Sequence, residues 1–336
     1  MEKVLVLMGG PSTEHDVSLR SGAAVVRNLP AAGYEPVPVV IGPDGRWRFP
    51  PAGDLGAEVP WGGLGDAVRR MEEERAACAF IAMHGLWGED GRIQSLFDLM
   101  GVPQIGADAV ASAVSMDKWL SKAIYRQHGI PTPDAVLLSA DEARRADAAA
   151  GIVARFGLPC VVKTPRMGSS RGVWIPKDGA ALGRALADGA GLAPAVMVEA
   201  FRRGRELTVP VLEDAVTGEP RALPVIEIVL RTVSSEFFDY DAKYDEAATD
   251  EVCPARIPDD VALAVQEIGV AAHRALMLSG FSRTDVMWDG EGFWTLETNT
   301  IPGLTEASLF PKAVAATGGT FAGLVATLVR CATRGR

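Results

Sequence analysis

The sequence has few of the residues that cross-link proteins through sulfur or metal. It contains four cysteines and four histidines among 336 residues. No Cys-x-x-Cys pair and no Cys/His spacing of the kind found in zinc sites occurs. Three of the four cysteines lie in apolar segments, where free thiols usually act as inert core residues. This cysteine usage predicts a protein of the reducing cytoplasm.

An excess of basic charge and a long apolar run are also missing. The net charge is −10, and seven of the 33 basic residues are lysines, which argues against a nucleic-acid or anionic-membrane surface. The apolar run of residues 4–8 is too short for a signal sequence. No run approaches the ~20 residues of a membrane span. We therefore expect a cytoplasmic protein that binds neither nucleic acid nor membrane.

What is present predicts a globular chain of two or three domains, because 48% of the residues are apolar and 23% are charged. Strand and helix patterns alternate up to about residue 105 and predict a doubly wound α/β domain over residues 1–106. Residues 107–199 and residues 200–336 have the mixed patterns of two α+β domains. In the last of these, Asp289-Gly290 predicts a tight hairpin.

Two strands flank that predicted turn, and each carries a pair of polar residues two positions apart. Arg283 and Asp285 share one face of the first strand, as Glu297 and Asn299 do in the second. Pairing across the turn would place all four side by side. Carboxylate and amide oxygens suit a hard cation such as Mg²⁺, and Arg283 could stabilise an oxyanion. The alternative is a solvated polar face.

The stretch "VVKTPRMGSSRGV", residues 161–173, ends an apolar strand with Lys163 and continues as a Gly/Ser loop. Such a loop can present backbone N–H groups to phosphate, although no Gly-Lys pair of a Walker A loop occurs anywhere in the chain. Two alternatives are a flexible hairpin and the nucleophile elbow of a serine hydrolase, with Ser170 as nucleophile. For the hydrolase, the only downstream histidine is His273, which lies in a predicted helix.

Three further places in the sequence carry side chains that could bind a substrate or take part in catalysis. Asp16 lies where a helix begins and could cap that helix or hold a substrate ammonium group. His84 follows a strand at the carboxyl edge of the first sheet, where ligands bind in open α/β folds. The polar loop of residues 231–256 contains Lys243 and Tyr244 and has the length of a lid.

Taken together, these stretches resemble the D-alanine–D-alanine ligase family of the ATP-grasp superfamily. The resemblance runs in order through "GGPSTEHDVS", "HGLWGEDG", "SMDKWLSK", "VVKTPRMGSSRGV", "VEAFRRGRELTV", "FFDYDAKY", "SRTDVMW" and "LETNTIPGLTEASL". It implies an ATP-grasp fold, with an N-terminal α/β domain and two α+β domains that hold ATP between them. It also implies a ligase that joins two D-alanines through an acyl phosphate for peptidoglycan synthesis.

The resemblance implies a role for each matched residue. Those implied to bind ATP are Lys118, Lys163, Glu199, Phe201 and Glu206. Those implied to bind two Mg²⁺ ions, with Mn²⁺ as an alternative, are Asp285, Glu297 and Asn299. Those implied at the oxyanion site are Arg283 and Gly303. Those implied at the first substrate's ammonium are Asp16 and its hydrogen-bonding partners Ser169 and Tyr244. Those implied to bind the second substrate's carboxylate and the transferred phosphate are Lys243, Ser308 and Leu309, and His84 is a further substrate-binding residue. A homodimer is implied as well.

The chain departs from the family pattern in Thr164-Pro165, in Arg171 and in Asp16, which is one methylene shorter than the usual glutamate. Besides the hydrolase, two alternatives remain open. One is a related ATP-grasp ligase with another acceptor, such as D-lactate or a different amino acid. The other is a nucleotide-binding protein without catalytic activity.

Overall fold

The computed structural model describes residues 1–168, 172–230 and 249–334, and in this part of the chain it contains three β-sheets flanked by helices. Both α/β and α+β arrangements are present, as the sequence predicts. Each sheet is built from one consecutive stretch of the chain.

The first sheet has the order β3-β2-β1-β4, with β1 parallel to both β2 and β4. Val4 and Val6 pack on one face of β1, whereas Leu5 and Leu7 pack on the other, because both faces are covered by helices. The elements are β1 (Glu2–Gly9), α1 (His15–Asn28), β2 (Tyr34–Ile41), β3 (Trp47–Arg48), α2 (Leu64–Glu74), β4 (Cys78–Ile81) and α3 (Arg92–Met100). The predicted doubly wound arrangement is confirmed.

The second sheet has the order β5-β8-β6-β7 and is antiparallel. Cys160 and Val162 of β6 pack on its helices, so Val161 and Lys163 point to the opposite face. The elements are β5 (Ala135–Ser139), α6 (Ala140–Ala143), α7 (Ala148–Phe156), β6 (Cys160–Lys163), β7 (Val173–Trp174), α8 (Gly179–Leu192) and β8 (Ala195–Ala200).

The third sheet has the order β12-β11-β9-β13-β14, with β10 beside β9. Leu207 and Val209 of β9 pack against α9, while Glu206 and Thr208 lie on the other face. The elements are β9 (Arg205–Glu213), β10 (Pro220–Ala222), β11 (Ile226–Leu230), β12 (Thr249–Val252), α9 (Asp259–Ala275), β13 (Phe281–Trp288), β14 (Phe293–Asn299), α10 (Leu309–Ala316) and α11 (Phe321–Thr333).

Two helices between the first and second sheets pack on the third. These are α4 (Ala109–Met116) and α5 (Lys118–Gln127), and Tyr125 of α5 shares a core with Ala272 of α9 and with Leu276, which follows that helix. The predicted middle unit, residues 107–199, thus begins with helices that pack in the C-terminal part. The domain boundaries stay predictions.

The cysteines and the longest apolar helices bear on the expectations drawn from composition. All four cysteines are free thiols; Cys78 and Cys160 are buried, and Cys253 and Cys331 are half-buried. Among the described residues no single helix is long and apolar enough to cross a membrane, and α10 and α11 meet that requirement only as a pair, bent by 104°.

Candidate active site

A cavity of about 890 Å³ is lined by residues of the N-terminal part, of α4 and α5, of the loop after β6 and of the C-terminal part, and its volume is within the usual range of small-molecule sites. The predicted site residues that line it are His84, Lys118, Glu206, Arg283, Asp285, Glu297, Asn299, Gly303, Ser308 and Leu309. Lys163, Glu199, Phe201 and Asp16 are not in its wall. The structure therefore brings together most of the predicted metal, phosphate and acceptor residues in one cavity.

The hairpin of β13 and β14 has the predicted register. Arg283 pairs with Asn299, and Asp285 pairs with Glu297. The intervening residues pair as well, so all four side chains share the face that lines the cavity. A bulge interrupts the pairing directly after Asp285. The prediction that these four side chains lie side by side is confirmed.

Asp285 is held by two neighbours. Arg283 donates from Nε to Oδ1 over 3.0 Å and from Nη2 to Oδ2 over 2.9 Å, and the Thr208 hydroxyl donates to Oδ1 over 2.5 Å. Thr208 lies directly opposite Asp285 in the β9–β13 register. Burial would lower the pKa of Arg283, but the charge and hydrogen bonds of Asp285, together with the charges of Glu297 and Glu89, outweigh burial and raise that pKa. The guanidinium is therefore a permanent positive charge beside the carboxylate.

Glu297 pairs with Lys118, whose ammonium lies 3.0 Å from Oε2 and donates to the Met167 carbonyl over 3.0 Å. The Asn299 Oδ1 accepts a hydrogen bond of 3.1 Å from the Ile301 N–H. No set of three or more His, Cys, Asp or Glu side chains that could hold a metal ion occurs in the described ranges. Asp285, Glu297 and Asn299 offer two carboxylates and an amide oxygen, a donor set that fits Mg²⁺ when phosphate and water complete its shell.

Lys118 is positioned as the first residue of α5. Asp117 caps α5 by accepting hydrogen bonds from the N–H groups of Trp119 and Leu120. The same carboxylate forms an ion pair with Arg166 over 2.7 Å. Because Arg166 belongs to the Gly/Ser loop stretch, this contact ties the loop to the helix that carries Lys118.

Lys163 lies on the second sheet and forms an ion pair with Glu199 Oε1. Glu199 is opposite Val161 in the β6–β8 pairing, so the alternation of the strand puts both charged side chains on one face. A second ammonium, that of Lys122, lies 2.8 Å from Glu199 Oε2. Burial alone would raise the pKa of Glu199, but Lys163 and Lys122 outweigh it and lower the pKa to about 2. Lys122 is fully buried and was not among the predicted site residues.

His84 is buried in the cavity wall. Its Nδ1 lies 3.1 Å from the Ile301 carbonyl and its Nε2 lies 2.9 Å from the Ser21 hydroxyl. These partners fit the tautomer in which Nδ1 carries the proton. Burial lowers the pKa of His84, so the ring is neutral at neutral pH.

The turn after β14 brings Gly303 and Ser308 together. A Cβ added to Gly303 would lie 2.8 Å from the Ser308 Oγ, so the chain passes too close for a larger residue. Ser308 Oγ also accepts a hydrogen bond of 3.1 Å from the Thr305 N–H, and Leu309 begins α10. The loop is thereby tied to the helix that follows it.

Comparison with known proteins decides the family. Models of the N-terminus and the C-terminus of D-ala D-ala ligase match residues 3–107 and 124–330. A D-alanine–D-alanine ligase of Desulforudis audaxviator is 40% identical over 333 residues, which is 99% of each chain. The chain belongs to the D-alanine–D-alanine ligase family. Members of this family are ATP-dependent and use Mg²⁺, and the chain is a ligase with the ATP-grasp fold.

Solved structures agree with the assignment to the D-alanine–D-alanine ligase family. The enzyme of Coxiella burnetii matches with a TM-score of 0.80 and 28% identity, covering 99% of this chain and 95% of its own. The VanG D-Ala:D-Ser ligase of Enterococcus faecalis matches with a TM-score of 0.80 and 29% identity, covering 98% of each chain. The family assignment therefore leaves the acceptor to be decided.

The structure places Asp16 away from the cavity. Asp16 is exposed on α1 and does not line the cavity, whereas Glu14, two residues earlier, does. The carboxylate available for a substrate ammonium at the cavity is therefore that of a glutamate, and the role of Asp16 stays a prediction. Both carboxylates precede or begin the same helix, so sequence alone could not show which one faces inward.

Glu89 also lines the cavity and was missed. Its Oε2 accepts a hydrogen bond of 2.6 Å from the Gly85 N–H. Burial raises the pKa of Glu89 to about 8, and the nearby Glu14 charge adds to the rise. In the sequence, Glu89 lies three residues before Arg92 in a stretch rich in glycine and acidic residues. Nothing in that stretch distinguishes Glu89 from a residue of a solvated loop.

The hydrolase alternative finds no support in the placement of His273. His273 is buried in α9, with Nδ1 2.8 Å from Ser282 Oγ and Nε2 3.6 Å from Glu213. These partners are buried too and do not line the cavity. Ser170, with the predicted Ser169, Lys243 and Tyr244, lies outside the described residues.

Proposed function

We propose that the protein joins two molecules of D-alanine into D-alanyl-D-alanine, with conversion of ATP to ADP and phosphate, and so supplies a peptidoglycan precursor. The observation that carries the proposal is the β13–β14 hairpin. It places Asp285, Glu297 and Asn299 on the cavity, next to Arg283 and to the ammonium of Lys118. Family membership supports the same reaction.

In this proposal ATP lies between the second and third sheets. Lys118 and Lys163 contact its phosphates, while Glu199, the backbone near Phe201 and Glu206 hold the base and the ribose. The arrangement supports these roles because each lysine is paired with a carboxylate, Lys118 with Glu297 and Lys163 with Glu199. A nucleotide with its metal can replace both ion pairs by lysine–phosphate and metal–carboxylate contacts.

Asp285, Glu297 and Asn299 would hold two Mg²⁺ ions, with Mn²⁺ as a substitute. The ions would offset the negative charge on the transferring phosphoryl group. Thr208 and Arg283 orient the Asp285 carboxylate for this task through the hydrogen bonds described above. Asn299 would have to exchange its contact with the Ile301 N–H, or use its second lone pair, to bind an ion.

The first D-alanine binds with its ammonium near Glu14 and His84. One oxygen of its carboxylate attacks the γ-phosphorus, ADP leaves, and an acyl phosphate forms. The amine of the second D-alanine then attacks the acyl carbon. Arg283 and the Gly303 N–H stabilise the tetrahedral oxyanion, and phosphate leaves as the new nitrogen loses its proton.

The second D-alanine would bind through its carboxylate to Ser308, the Leu309 N–H and Lys243. From the sequence, Ser169 and Tyr244 would close the site over the first substrate. We further propose that the protein is a cytoplasmic homodimer that binds neither membrane nor nucleic acid, on the basis of its charge and its family.

The experiment that tests the proposal is an acceptor panel. ADP release and product are measured with ATP and Mg²⁺ against D-alanine, D-serine, D-lactate and L-alanine. We expect turnover with D-alanine alone to yield one dipeptide for each ADP. Preferential use of D-serine or D-lactate as acceptor would assign a related ligase, and nucleotide binding without turnover on any substrate would assign the non-catalytic alternative.

A further inference from the structure

Lys122 is a charged side chain enclosed by the protein and absent from every role described so far. It is fully buried. Its ammonium lies 2.8 Å from Glu199 Oε2 and donates hydrogen bonds to the Thr132 hydroxyl over 2.7 Å and to the Pro133 carbonyl over 3.3 Å. Thr132 donates in turn to the Thr295 carbonyl of β14 over 2.8 Å. The ammonium is therefore fixed in place between α5, the second sheet and the third.

Lys163 shares the carboxylate of Glu199 with Lys122 but is held differently. Its side chain is 12% exposed, against 0% for Lys122. The two lysines approach different oxygens of Glu199, Lys163 at Oε1 and Lys122 at Oε2. One buried carboxylate is thus flanked by a fixed ammonium and by one that faces the nucleotide side.

We propose that Lys122 is a positioning residue for ATP binding: it keeps Glu199 paired when Lys163 turns away from Glu199 to reach the nucleotide phosphates. The inference rests on the proposed role of Lys163 as a phosphate ligand. The three groups carry one net positive charge, so the site attracts phosphate even while Glu199 is ionised. When Lys163 leaves Oε1, that oxygen becomes open to a donor on the nucleotide base.

The reason is the cost of an unpaired buried charge. Removing one partner of a buried ion pair is strongly unfavourable because the other charge is left without compensation. Without Lys122, movement of Lys163 to phosphate would leave the buried Glu199 carboxylate alone. With Lys122 in place, one cation stays with Glu199 and the other binds ATP.

The charges of the three groups agree with this role. Burial lowers the pKa of Lys122 to about 8, against the opposing charge of Glu199 and with Lys163 and Arg126 adding to the fall. The lowered pKa of Glu199 keeps that carboxylate ionised at neutral pH. At neutral pH both members of the Lys122–Glu199 pair are therefore charged.

A double-mutant cycle tests the proposal. The dissociation constant of the β,γ-imido analogue of ATP, with Mg²⁺, is measured by calorimetry for the parent, Lys122→Met, Glu199→Gln and the double variant. We expect Lys122→Met to raise that constant by at least ~30-fold, because Glu199 then holds Lys163. In the Glu199→Gln background the buried carboxylate charge is gone, so Lys122→Met should raise the dissociation constant by less than ~3-fold.

Two controls separate this role from a general loss of structure. Arg126→Met removes a positive charge from the same helix at an exposed position, so it should change the constant less than ~2-fold. The KM for D-alanine should stay within ~2-fold in Lys122→Met, because only the nucleotide side changes. If Lys122→Met does not fold, Lys122→Gln, which keeps hydrogen bonds but not the charge, takes its place in the cycle.

The outcomes distinguish this inference from the proposed function. Equal effects of Lys122→Met in both backgrounds, or a parallel rise in the KM for D-alanine, would overturn the positioning role. If Lys163→Ala weakens nucleotide binding while Lys122→Met does not, the inference fails and the proposed function stands. If Lys163→Ala leaves nucleotide binding unchanged, the proposed phosphate role itself is wrong.

Discussion

Asp285 lies directly opposite Glu297 in the antiparallel pairing of β13 and β14, and both carboxylates face the same cavity. Two like charges across a strand pair destabilise a sheet unless cations lie between or beside them. Arg283 compensates Asp285, and Lys118 compensates Glu297. The cavity thus contains two carboxylates for a metal ion. It also contains two cations, an arginine and a lysine, for phosphate.

Replacing Glu297 should abolish most of the activity without unfolding the protein. Glu297→Gln keeps the shape but removes the charge that offsets Lys118 and would bind Mg²⁺, so we expect kcat to fall by ~10²-fold or more. Steady-state ADP release at saturating ATP and Mg²⁺ measures this. Glu291→Gln, at an exposed carboxylate in the turn of the same hairpin, is the matched control and should keep full activity. A Glu297→Gln variant with near-parent kcat would remove this residue from the metal site.

Thr208 should matter through Asp285. Thr208→Val keeps the volume but deletes the hydroxyl that donates to Asp285 Oδ1, at a cost of about 1–3 kcal/mol for the lost partner. We expect the Mg²⁺ concentration for half-maximal activity to rise by ~5-fold or more. Thr284→Val is the control, since its hydroxyl contacts Thr298 and not Asp285. An equal shift in both variants would contradict a specific role for Thr208.

Glu14 and Asp16 are a matched pair of carboxylates, since Glu14 directly precedes α1 and Asp16 lies in its first turn. Glu14→Gln should raise the KM for the first D-alanine by ~10-fold or more, because a charge-assisted contact to its ammonium is worth about 1.5–3 kcal/mol. Asp16→Asn, on the exposed side of α1, should leave that KM unchanged. The measurement is initial rate against D-alanine concentration at saturating ATP. The reverse pattern would restore Asp16 to the role predicted from the sequence.

Glu199 should make the ligand-free protein sensitive to acid. Its folded pKa of about 2 lies below the ordinary glutamate pKa of 4.5, so the unfolded chain binds more protons between those values. The stabilisation is therefore present above pH about 4.5 and is lost as the pH falls toward 2, by up to about 3 kcal/mol for this shift.

Urea unfolding of the parent and of Glu199→Gln at a series of pH values checks this prediction. The variant should show a smaller loss of unfolding free energy over the acid range than the parent does. Because other carboxylates titrate there in both proteins, the difference between the two slopes is the quantity that decides. Identical slopes would show that Lys122 and Lys163 do not stabilise the Glu199 charge.

Short-range sequence patterns were enough to predict several elements of the site. The two-residue period of strands placed Asp285 with Arg283 and Glu297 with Asn299. The hairpin formed as predicted, but its loop spans residues 289–292 and is longer than a tight turn at Asp289-Gly290 alone. The apolar run of β1, buried on both faces, was predictable for the same reason. These features depend on residues close in sequence, where backbone geometry alone sets which side chains share a face.

Other features depend on contacts between distant segments. Lys122 contacts Glu199 directly and reaches Thr295 through Thr132 only because α5 lies against two sheets at once. Glu89 has its raised pKa because the fold encloses it near Glu14. Neither side chain differs in sequence from an ordinary surface lysine or glutamate.

The family, the strands and turns that carry the chemistry, and the proposed metal and phosphate residues are all predictable from the sequence. Which carboxylate near the start of α1 faces the cavity, and which lysine of α5 is buried against Glu199, depends on the three-dimensional packing. The difference arises because strand periodicity is a local property of the backbone. Burial and ion pairing are set by how separate elements pack, and a residue's neighbours across that packing are not encoded in its own stretch of chain.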